Sequence, residues 1–130
     1  MCCTDVKREV VGEPPGGRPY SPAVRVGNLI FVSGQVALDP ATGEAVRDSF
    51  EAETRQVMDN VKRLVEQAGS SMANIVKTTV FLTDIEKFAE MNEIYSSYFE
   101  TDPPARSTVE VSALALGFDV EVECVAFVED

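Results

Sequence analysis

The chain has 130 residues, enough for one domain with a hydrophobic core but too few for two. Its 22 acidic residues outnumber 11 basic ones, and the net charge of −11 disfavours unspecific binding to nucleic acid, whose phosphates such a surface repels. Although 45% of the residues are hydrophobic, no apolar run approaches the roughly 20 residues of a membrane-spanning helix, so we expect no membrane partner.

Histidine is absent, which excludes serine–histidine and cysteine–histidine catalysis together with the usual transition-metal ligands. Cys2, Cys3 and Cys124 show neither a disulfide framework nor the paired spacing of a zinc site, and Cys124 fits a small core residue. The segment MCCTDVKREVV lacks the apolar stretch of a signal peptide, so we expect a cytoplasmic protein. Acidic, hydroxyl, arginine and backbone groups remain as candidates for chemistry.

The first third of the chain is predicted to form strands. Residues 6–11 fit a short strand, and the following stretch, GEPPGGRPYSP at 12–22, has too many prolines and glycines for anything but a turn or surface loop. Residues 23–26 and 28–33 are rich in β-branched side chains and are separated by Gly27, a pattern typical of a hairpin. The second run, NLIFVSG, is apolar on both faces, which predicts a strand covered on both sides.

A long helix is predicted to follow the turn DPATG at 39–43. It should start near Asp48 or Ser49, with acidic residues in a first turn where the helix dipole favours negative charge. Gly69 suits a left-handed end. One apolar stripe recurs at helical spacing: Val57, Met58, Val61, Leu64, Val65 and Ala68.

The second half repeats the pattern of strand and helix. Residues 74–82 are predicted to form a strand, and Thr83 with Glu86 fits a capping box at the start of a second helix. Two last strands are expected near 107–114 and 120–128. The predicted helix ends before the prolines of DPPARS and carries on one face Phe88, Met91, Tyr95, Tyr98 and Phe99.

This order predicts a single α+β domain over residues 1–130, with a mixed sheet of five or six strands and two helices packed on one face. Several strands are apolar on both faces, and the chain has no third helix to cover the second face. We therefore expect a homo-oligomer in which sheets pack against each other.

Two charged positions in the last strands are candidates for a site. The prolines of DPPARSTVEV deliver Arg106 to the start of a strand, where an arginine is either a solvated strand end, the commoner case, or an anion-binding group. Glu121 and Glu123 share one face of the final strand with apolar neighbours, so these carboxylates lie at a polar interface or have a function.

Six stretches in order resemble the Rid (YjgF) family of enamine/imine deaminases across nearly the whole chain. They are RPYSPAVRVGNLIFVSGQ, DNVKRLVEQAG, VKTTVFLTD, FAEMNEIYSSYF, PPARSTVEV and DVEVECVAF. The resemblance implies a chorismate-mutase-like fold assembled as a homotrimer with clefts between subunits. It also implies hydrolysis of 2-iminoacids, or of the enamines that precede them, to 2-ketoacids and ammonia, as by a 2-iminobutanoate/2-iminopropanoate deaminase without a metal or other cofactor.

The resemblance also implies roles for individual residues. Arg106 matches the arginine that holds the substrate carboxylate, and Glu121 matches the carboxylate that positions the attacking water. Other matches to the same cleft are Tyr20, Ser33, Gly34 and Asn92. Thr108 stands where many active members have cysteine, which removes a thiol but keeps a backbone N–H for the substrate. Ala115 replaces the usual proline after Leu114 and changes the rim of the site.

Each of these residues also has a structural reading. Tyr20 also fits packing under its loop, Asn92 a hydrogen bond at a helix end, and Ser33 with Gly34 a bulge or a strand exit. At the level of function, the alternative to an imine hydrolase is a non-catalytic carboxylate-binding or interaction protein of the same fold, from which turnover would distinguish it. An RNA-cleaving protein, as some relatives have been described, fits poorly with the net charge of −11.

Overall fold

A computed structural model describes residues 6–13 and 15–129, so Cys2 and Cys3 lie outside the described residues. These residues form one six-stranded sheet and two α-helices. The strands are β1 (Arg8–Val11), β2 (Ala23–Val26), β3 (Leu29–Gln35), β4 (Ile75–Leu82), β5 (Ala105–Glu110) and β6 (Val120–Phe127), and the helices are α1 (Phe50–Gln67) and α2 (Phe88–Ser96). The predicted mixed α+β architecture is confirmed. In the described part of the chain, neither helix is long and apolar enough to cross a membrane.

The sheet has the strand order β1-β2-β3-β6-β4-β5. All neighbours are antiparallel except β4 and β5, which run parallel and are connected through α2. The last strand, β6, lies between β3 and β4, so the end of the chain completes the centre of the sheet. The predicted hairpin of β2 and β3 is confirmed.

Both helices pack on one face of the sheet, which we call the helix face. Alternate residues of the central strands point into this layer because strand side chains alternate between faces. The hydroxyl groups of Thr78 on β4 and Tyr95 on α2 form a buried hydrogen bond of 2.7 Å across it. Fully buried apolar residues of this layer include Ile30, Val57, Met58, Val61, Val65, Val80, Leu82, Val120 and Val122.

The opposite face, which we call the open face, is apolar but uncovered by either helix. Leu29 and Phe31 of β3 are 44% and 46% exposed, and Val109 of β5 is 42% exposed. The register aligns Phe31 with Val125 and Leu29 with Phe127, so these side chains form one continuous surface. The prediction that β3 is covered on both sides is therefore not met within one copy, and the homo-oligomer stays a prediction.

Helix α1 follows the predicted pattern. Ser49 caps it, its Oγ accepting a hydrogen bond of 3.0 Å from the amide of Ala52. All six residues of the predicted apolar stripe are buried. The chain leaves the helix through Gly69, whose φ of +97° is in the range where a residue without a Cβ is favoured.

The predicted capping box of α2 is wrong. The Thr83 hydroxyl donates to the carboxylate of Asp119 at 3.4 Å instead of serving the helix. Asp84 accepts a hydrogen bond of 3.0 Å from the amide of Glu86 and opens a 3-10 turn, Ile85–Lys87, from which α2 continues without a side-chain cap. An aspartate reaches the amide two residues on, so the neighbouring Asp84 replaces the threonine.

Two elements are shorter than predicted. Helix α2 ends at Ser96, so Tyr98 and Phe99 pack from the turn that follows it. Strand β5 ends at Glu110 because its partner β4 ends at Leu82, and the ladder closes with the amide of Val111 donating to that residue's carbonyl. Beyond this point no neighbouring strand extends the pairing.

Candidate active site

Arg106 lies on the edge strand β5 and points to the helix face, because the register aligns it with the buried Thr78. The guanidinium carbon is 4.8 Å from the ring centroid of Tyr95 and 5.5 Å from that of Phe88, both on α2. The side chain is half-buried, and no carboxylate in residues 6–13 and 15–129 forms an ion pair with it. Aromatic rings thus fix a cation whose hydrogen-bond donors remain available.

A cavity of about 480 Å³ opens beside Arg106, between α2 and the two prolines that precede β5. Asn92 and Tyr95 line it from the helix. The Oδ1 atom of Asn92 and the Oγ1 atom of Thr108 are buried without a hydrogen-bond partner among the described residues. Buried polar atoms without partners cost stability, so these two atoms are unusual in a folded core. Asn92 lines the cavity of Arg106, and Thr108 lies two residues further along β5 on the same face, so both atoms are on the side of the sheet where Arg106 lies.

Glu121 lies on β6 and points to the open face, since the register pairs it with Phe81. It is half-buried in a second cavity of about 430 Å³, whose lining also includes Tyr20, Ser33 and Leu116. Burial raises the pKa of Glu121 above its ordinary value, and the charge of Glu123 raises this pKa further. A carboxyl group whose pKa is raised holds a proton more readily than a free carboxyl group, which suits it to accept and return one.

Gly34 on β3 allows the Glu121 side chain to lie directly against the backbone. A Cβ at this position would overlap Oε2 of Glu121 and would lie 2.8 Å from its Cδ. Here the glycine is needed for close approach rather than for an unusual backbone angle.

Ser33 attaches the loop before β2 to β3. Its hydroxyl donates to the carbonyl of Ser21 at 2.6 Å, and its amide donates to the carbonyl of Pro22 at 2.9 Å. This pairing places Tyr20, which is 47% exposed, at the wall of the cavity with Glu121. The ladder between β3 and β6 is irregular between Val32 and Gln35, which agrees with the structural interpretation of Ser33, whereas its functional role stays a prediction.

The seven residues predicted from sequence form two groups on opposite faces of the sheet. Arg106, Asn92 and Thr108 lie together on the helix face at the β5 edge. The second group lies on the open face and consists of Tyr20, Ser33, Gly34 and Glu121. One copy of the chain does not bring Arg106 and Glu121 into the same cavity.

Cys124 takes no part in either group. It is buried, and burial raises the pKa of its thiol to about 12, which disfavours the thiolate needed of a nucleophile or ligand. Among the residues that the structure describes, no three cysteine, aspartate or glutamate side chains are grouped to hold a metal ion.

Sequence reasoning missed three contributors to the site. Tyr95 was assigned to an apolar helix face, but its ring also supports Arg106. Arg18 lines the Glu121 cavity, and its place in the RPYS stretch was a usable signal. Glu53 is one of the acidic residues in the first turn of α1, but it is buried, and its Oε2 accepts hydrogen bonds from the amides of Asp119 at 2.6 Å and Val120 at 3.0 Å. It therefore anchors the segment that leads into Glu121.

Comparison with known proteins adds independent information. A family model described as endoribonuclease L-PSP matches residues 12–128. The chain is 48% identical over 111 residues to a RutC family protein of Pyrococcus abyssi, an alignment that covers 85% of this chain and 87% of that protein. It is 42% identical over 129 residues to the chloroplastic Reactive Intermediate Deaminase A of Arabidopsis thaliana, covering 97% of this chain and 69% of the relative.

The fold agrees with these alignments. A crystal structure of a Rid family protein from Yersinia pestis matches with a TM-score of 0.90 and 42% sequence identity, covering 94% of this chain and 100% of that one. Because the family model spans most of the sequence and a solved member shares the fold, the chain belongs to the Rid (YjgF) family, whose model carries the endoribonuclease L-PSP description.

Proposed function

We propose that this protein hydrolyses small 2-enamino and 2-imino acids, such as 2-iminobutanoate and 2-iminopropanoate, to 2-ketoacids and ammonia. Family membership and the name of the Arabidopsis relative, Reactive Intermediate Deaminase A, support imine deamination in general. The observation that carries the proposal is Arg106, a half-buried cation next to the rings of Tyr95 and Phe88 and without a carboxylate partner in the described residues. This cation is available for the carboxylate that every such substrate has.

Arg106 binds the substrate carboxylate in this mechanism. A guanidinium grips a carboxylate through two parallel hydrogen bonds, which fixes both its position and its angle. The aromatic rings of Tyr95 and Phe88 limit the movement of the guanidinium, so less conformational entropy is lost when the substrate binds. Asn92 and Thr108 offer the polar atoms beside it.

Glu121 activates water. Its ionised carboxylate takes a proton from a water molecule as the oxygen attacks the C=N carbon, and the proton passes on to the nitrogen. In the resulting tetrahedral adduct Glu121 takes the hydroxyl proton and returns it to the nitrogen, so the C=O bond forms as the C–N bond breaks and ammonia and the 2-ketoacid leave. An enamine is first converted to the imine: protonated Glu121 donates its proton to the enamine carbon, and the resulting carboxylate takes one from the nitrogen. Because imines also hydrolyse unaided in water, orientation of the reactants and one acid/base group suffice for a useful acceleration, and no cofactor is required.

Two copies of the chain are needed to build this site. Arg106 is at an edge of the sheet on the helix face, whereas Glu121 is on the open face. If the β5 edge of one copy lies against the open face of the next, the guanidinium of the first approaches the carboxylate of the second. Three such contacts would close into the homotrimer that the resemblance implies, and this ring would also cover the exposed apolar surface of Leu29 and Phe31.

The test of this proposal is ketoacid release from iminoacids generated in the assay by an amino acid oxidase. We expect Arg106→Ala to lower kcat/KM by roughly 10- to 150-fold, the equivalent of one charge-assisted hydrogen-bonded pair. Arg106→Lys should recover only part of this loss because an ammonium cannot form the two parallel bonds. Arg55→Ala, which removes an exposed arginine on α1, is the matched control. An unchanged rate in Arg106→Ala would refute the assignment.

A second candidate is a carboxylate-binding protein without turnover. The separation of Arg106 and Glu121 in one copy favours it, because the Arg106 cavity alone suffices to bind a carboxylate. Ligand titration does not distinguish the two functions, whereas accelerated ammonia release does. The family description also names an endoribonuclease, but the net charge of −11 disfavours RNA as substrate.

A further inference from the structure

The segment between β5 and β6 has a turn with an unusual occupant. The amide of Gly117 donates to the carbonyl of Leu114, and the amide of Phe118 donates to that of Ala115. The two central residues, Leu116 and Gly117, are both left-handed, with φ of +60° and +73°. Such a turn favours asparagine, aspartate or glycine at its first central position. A leucine there is strained, and local structure does not explain its presence.

Arg47, which precedes α1, holds this turn in place. Its guanidinium donates to the carbonyls of both Leu116 and Gly117. The guanidinium carbon also lies 4.2 Å from the ring centroid of Phe118, a fully buried side chain. Arg47 therefore attaches the exposed tip of the turn to a residue anchored in the core.

Leu116 lies at the wall of the candidate active site. It is 53% exposed, yet it lines the same cavity as Glu121 and Tyr20. Ala115 and Val36 add further apolar surface to that wall. A strained backbone that presents an exposed apolar side chain to a cavity is typical of a functional position rather than a structural one.

We propose that Leu116 is a specificity-determining residue, whose side chain forms an apolar wall for the substrate's side chain, and that Arg47 is the positioning residue that holds it there. This inference rests on the proposed function for the identity of the ligand, a 2-imino or 2-keto acid. It assigns to the site a preference for aliphatic side chains, because apolar surface is removed from water when such a side chain contacts Leu116.

The test compares the affinities of 2-ketoacids with different side chains for Leu116→Asn. Asparagine tolerates the left-handed conformation, so this variant relieves backbone strain while it removes the apolar wall. We expect the melting temperature to rise and the affinity for 4-methyl-2-oxopentanoate to fall roughly tenfold, with little change for pyruvate, whose methyl group is too small to reach the wall. A loss of selectivity together with a gain in stability is not expected of a merely structural residue.

Arg47→Ala tests the positioning role by the same titrations. In Arg47→Ala the ratio of the affinities for 4-methyl-2-oxopentanoate and pyruvate should shift towards the ratio found in Leu116→Asn. Arg47→Lys should restore part of the wild-type ratio because an ammonium still donates to a carbonyl. Arg55→Ala again controls for the loss of an exposed positive charge. An affinity ratio that is unchanged in Leu116→Asn, or the absence of 2-ketoacid binding by the wild type, would overturn the inference. Wild-type binding with the expected selectivity but without iminoacid turnover would instead refute only the proposed hydrolysis.

Discussion

At the scale of single residues, the Glu121 side chain lies directly against the backbone of Gly34. The absence of a side chain at position 34 provides the space that the carboxylate occupies. The sequence motif identified both residues, but their contact depends on the pairing of β3 with β6, strands far apart in the chain. Motifs therefore predicted which residues matter, whereas the physical reason for the glycine required the fold.

Gly34→Ala should abolish most of the activity while leaving the fold stable. The new methyl group meets mainly the end of a flexible side chain, so Glu121 swings away at little cost and can no longer orient water. We expect kcat to fall roughly 100-fold, within the range of a lost acid/base group. The double variant Gly34→Ala with Glu121→Gln should be no slower than the slower of the two single variants, because residues that act through one contact do not lose activity additively. Additive losses would show that Gly34 acts independently of Glu121.

The raised pKa of Glu121 predicts a pH effect on activity. Because the ionised form activates water, kcat/KM should fall as the pH drops through this pKa, with an acid limb above the ordinary value of 4.5. Glu123→Gln removes a neighbouring negative charge, so the limb should move to lower pH, and Glu121→Gln should lack it. Rate profiles from pH 4 to 9 measure the shift in Glu123→Gln and the loss of the acid limb in Glu121→Gln. An acid limb that survives in Glu121→Gln would show that another group titrates.

The raised pKa of Glu121 also makes stability depend on pH, but in the opposite direction from activity. A raised pKa means that the folded protein binds the proton more tightly than the unfolded chain does. This contribution to stability is complete below about 4.5 and is lost as the pH rises through the folded-state pKa. In Glu121→Gln this part of the decline in unfolding free energy with pH should therefore disappear.

At the scale of elements, local signals predicted α1 well because a cap, a repeated apolar stripe and a terminal glycine all agree along 18 residues. The start of α2 was predicted wrongly because two adjacent residues, Thr83 and Asp84, are both able to cap. Their tertiary contacts decide which of them caps the helix. Thr83 hydrogen-bonds to Asp119, which directly precedes β6, so Asp84 is left to cap the turn. The C-terminal limit of β5 likewise depends on where β4 ends, which its own sequence does not specify.

Glu53 connects α1 to the start of β6, and its removal should weaken that connection. Glu53→Ala leaves the amides of Asp119 and Val120 buried without an acceptor, so we expect a loss of about 1–3 kcal/mol in unfolding free energy. Glu53→Gln keeps a carbonyl oxygen and should lose less. Glu51→Ala, in the same turn of the helix but exposed, is the control. Equal urea midpoints for Glu53→Ala and Glu51→Ala would contradict this role.

At the scale of the whole molecule, the sheet separates the candidate site into two parts. Because strand side chains alternate between the two faces, Arg106 and Thr108 share one face of β5, and Glu121 shares one face of β6 with Glu123. The sequence does not say whether Arg106 and Glu121 point to the same face of the sheet. That depends on which residues of β5 and β6 pair with which residues of β4, the strand between them. The registers put them on opposite faces, and the apolar open face remains to be covered. The proposed function therefore requires a site shared between copies.

Subunit complementation tests this central claim most directly. Arg106→Ala and Glu121→Gln are purified separately, unfolded, mixed in equal amounts and refolded, and iminoacid hydrolysis is measured. Each variant alone should retain at most about a tenth of the wild-type activity. If every site takes its arginine from one copy and its glutamate from the next, about a quarter of the sites in randomly mixed oligomers contain both intact residues, and this fraction of the activity should return. Mixed oligomers that stay as inactive as their parents would contradict the account.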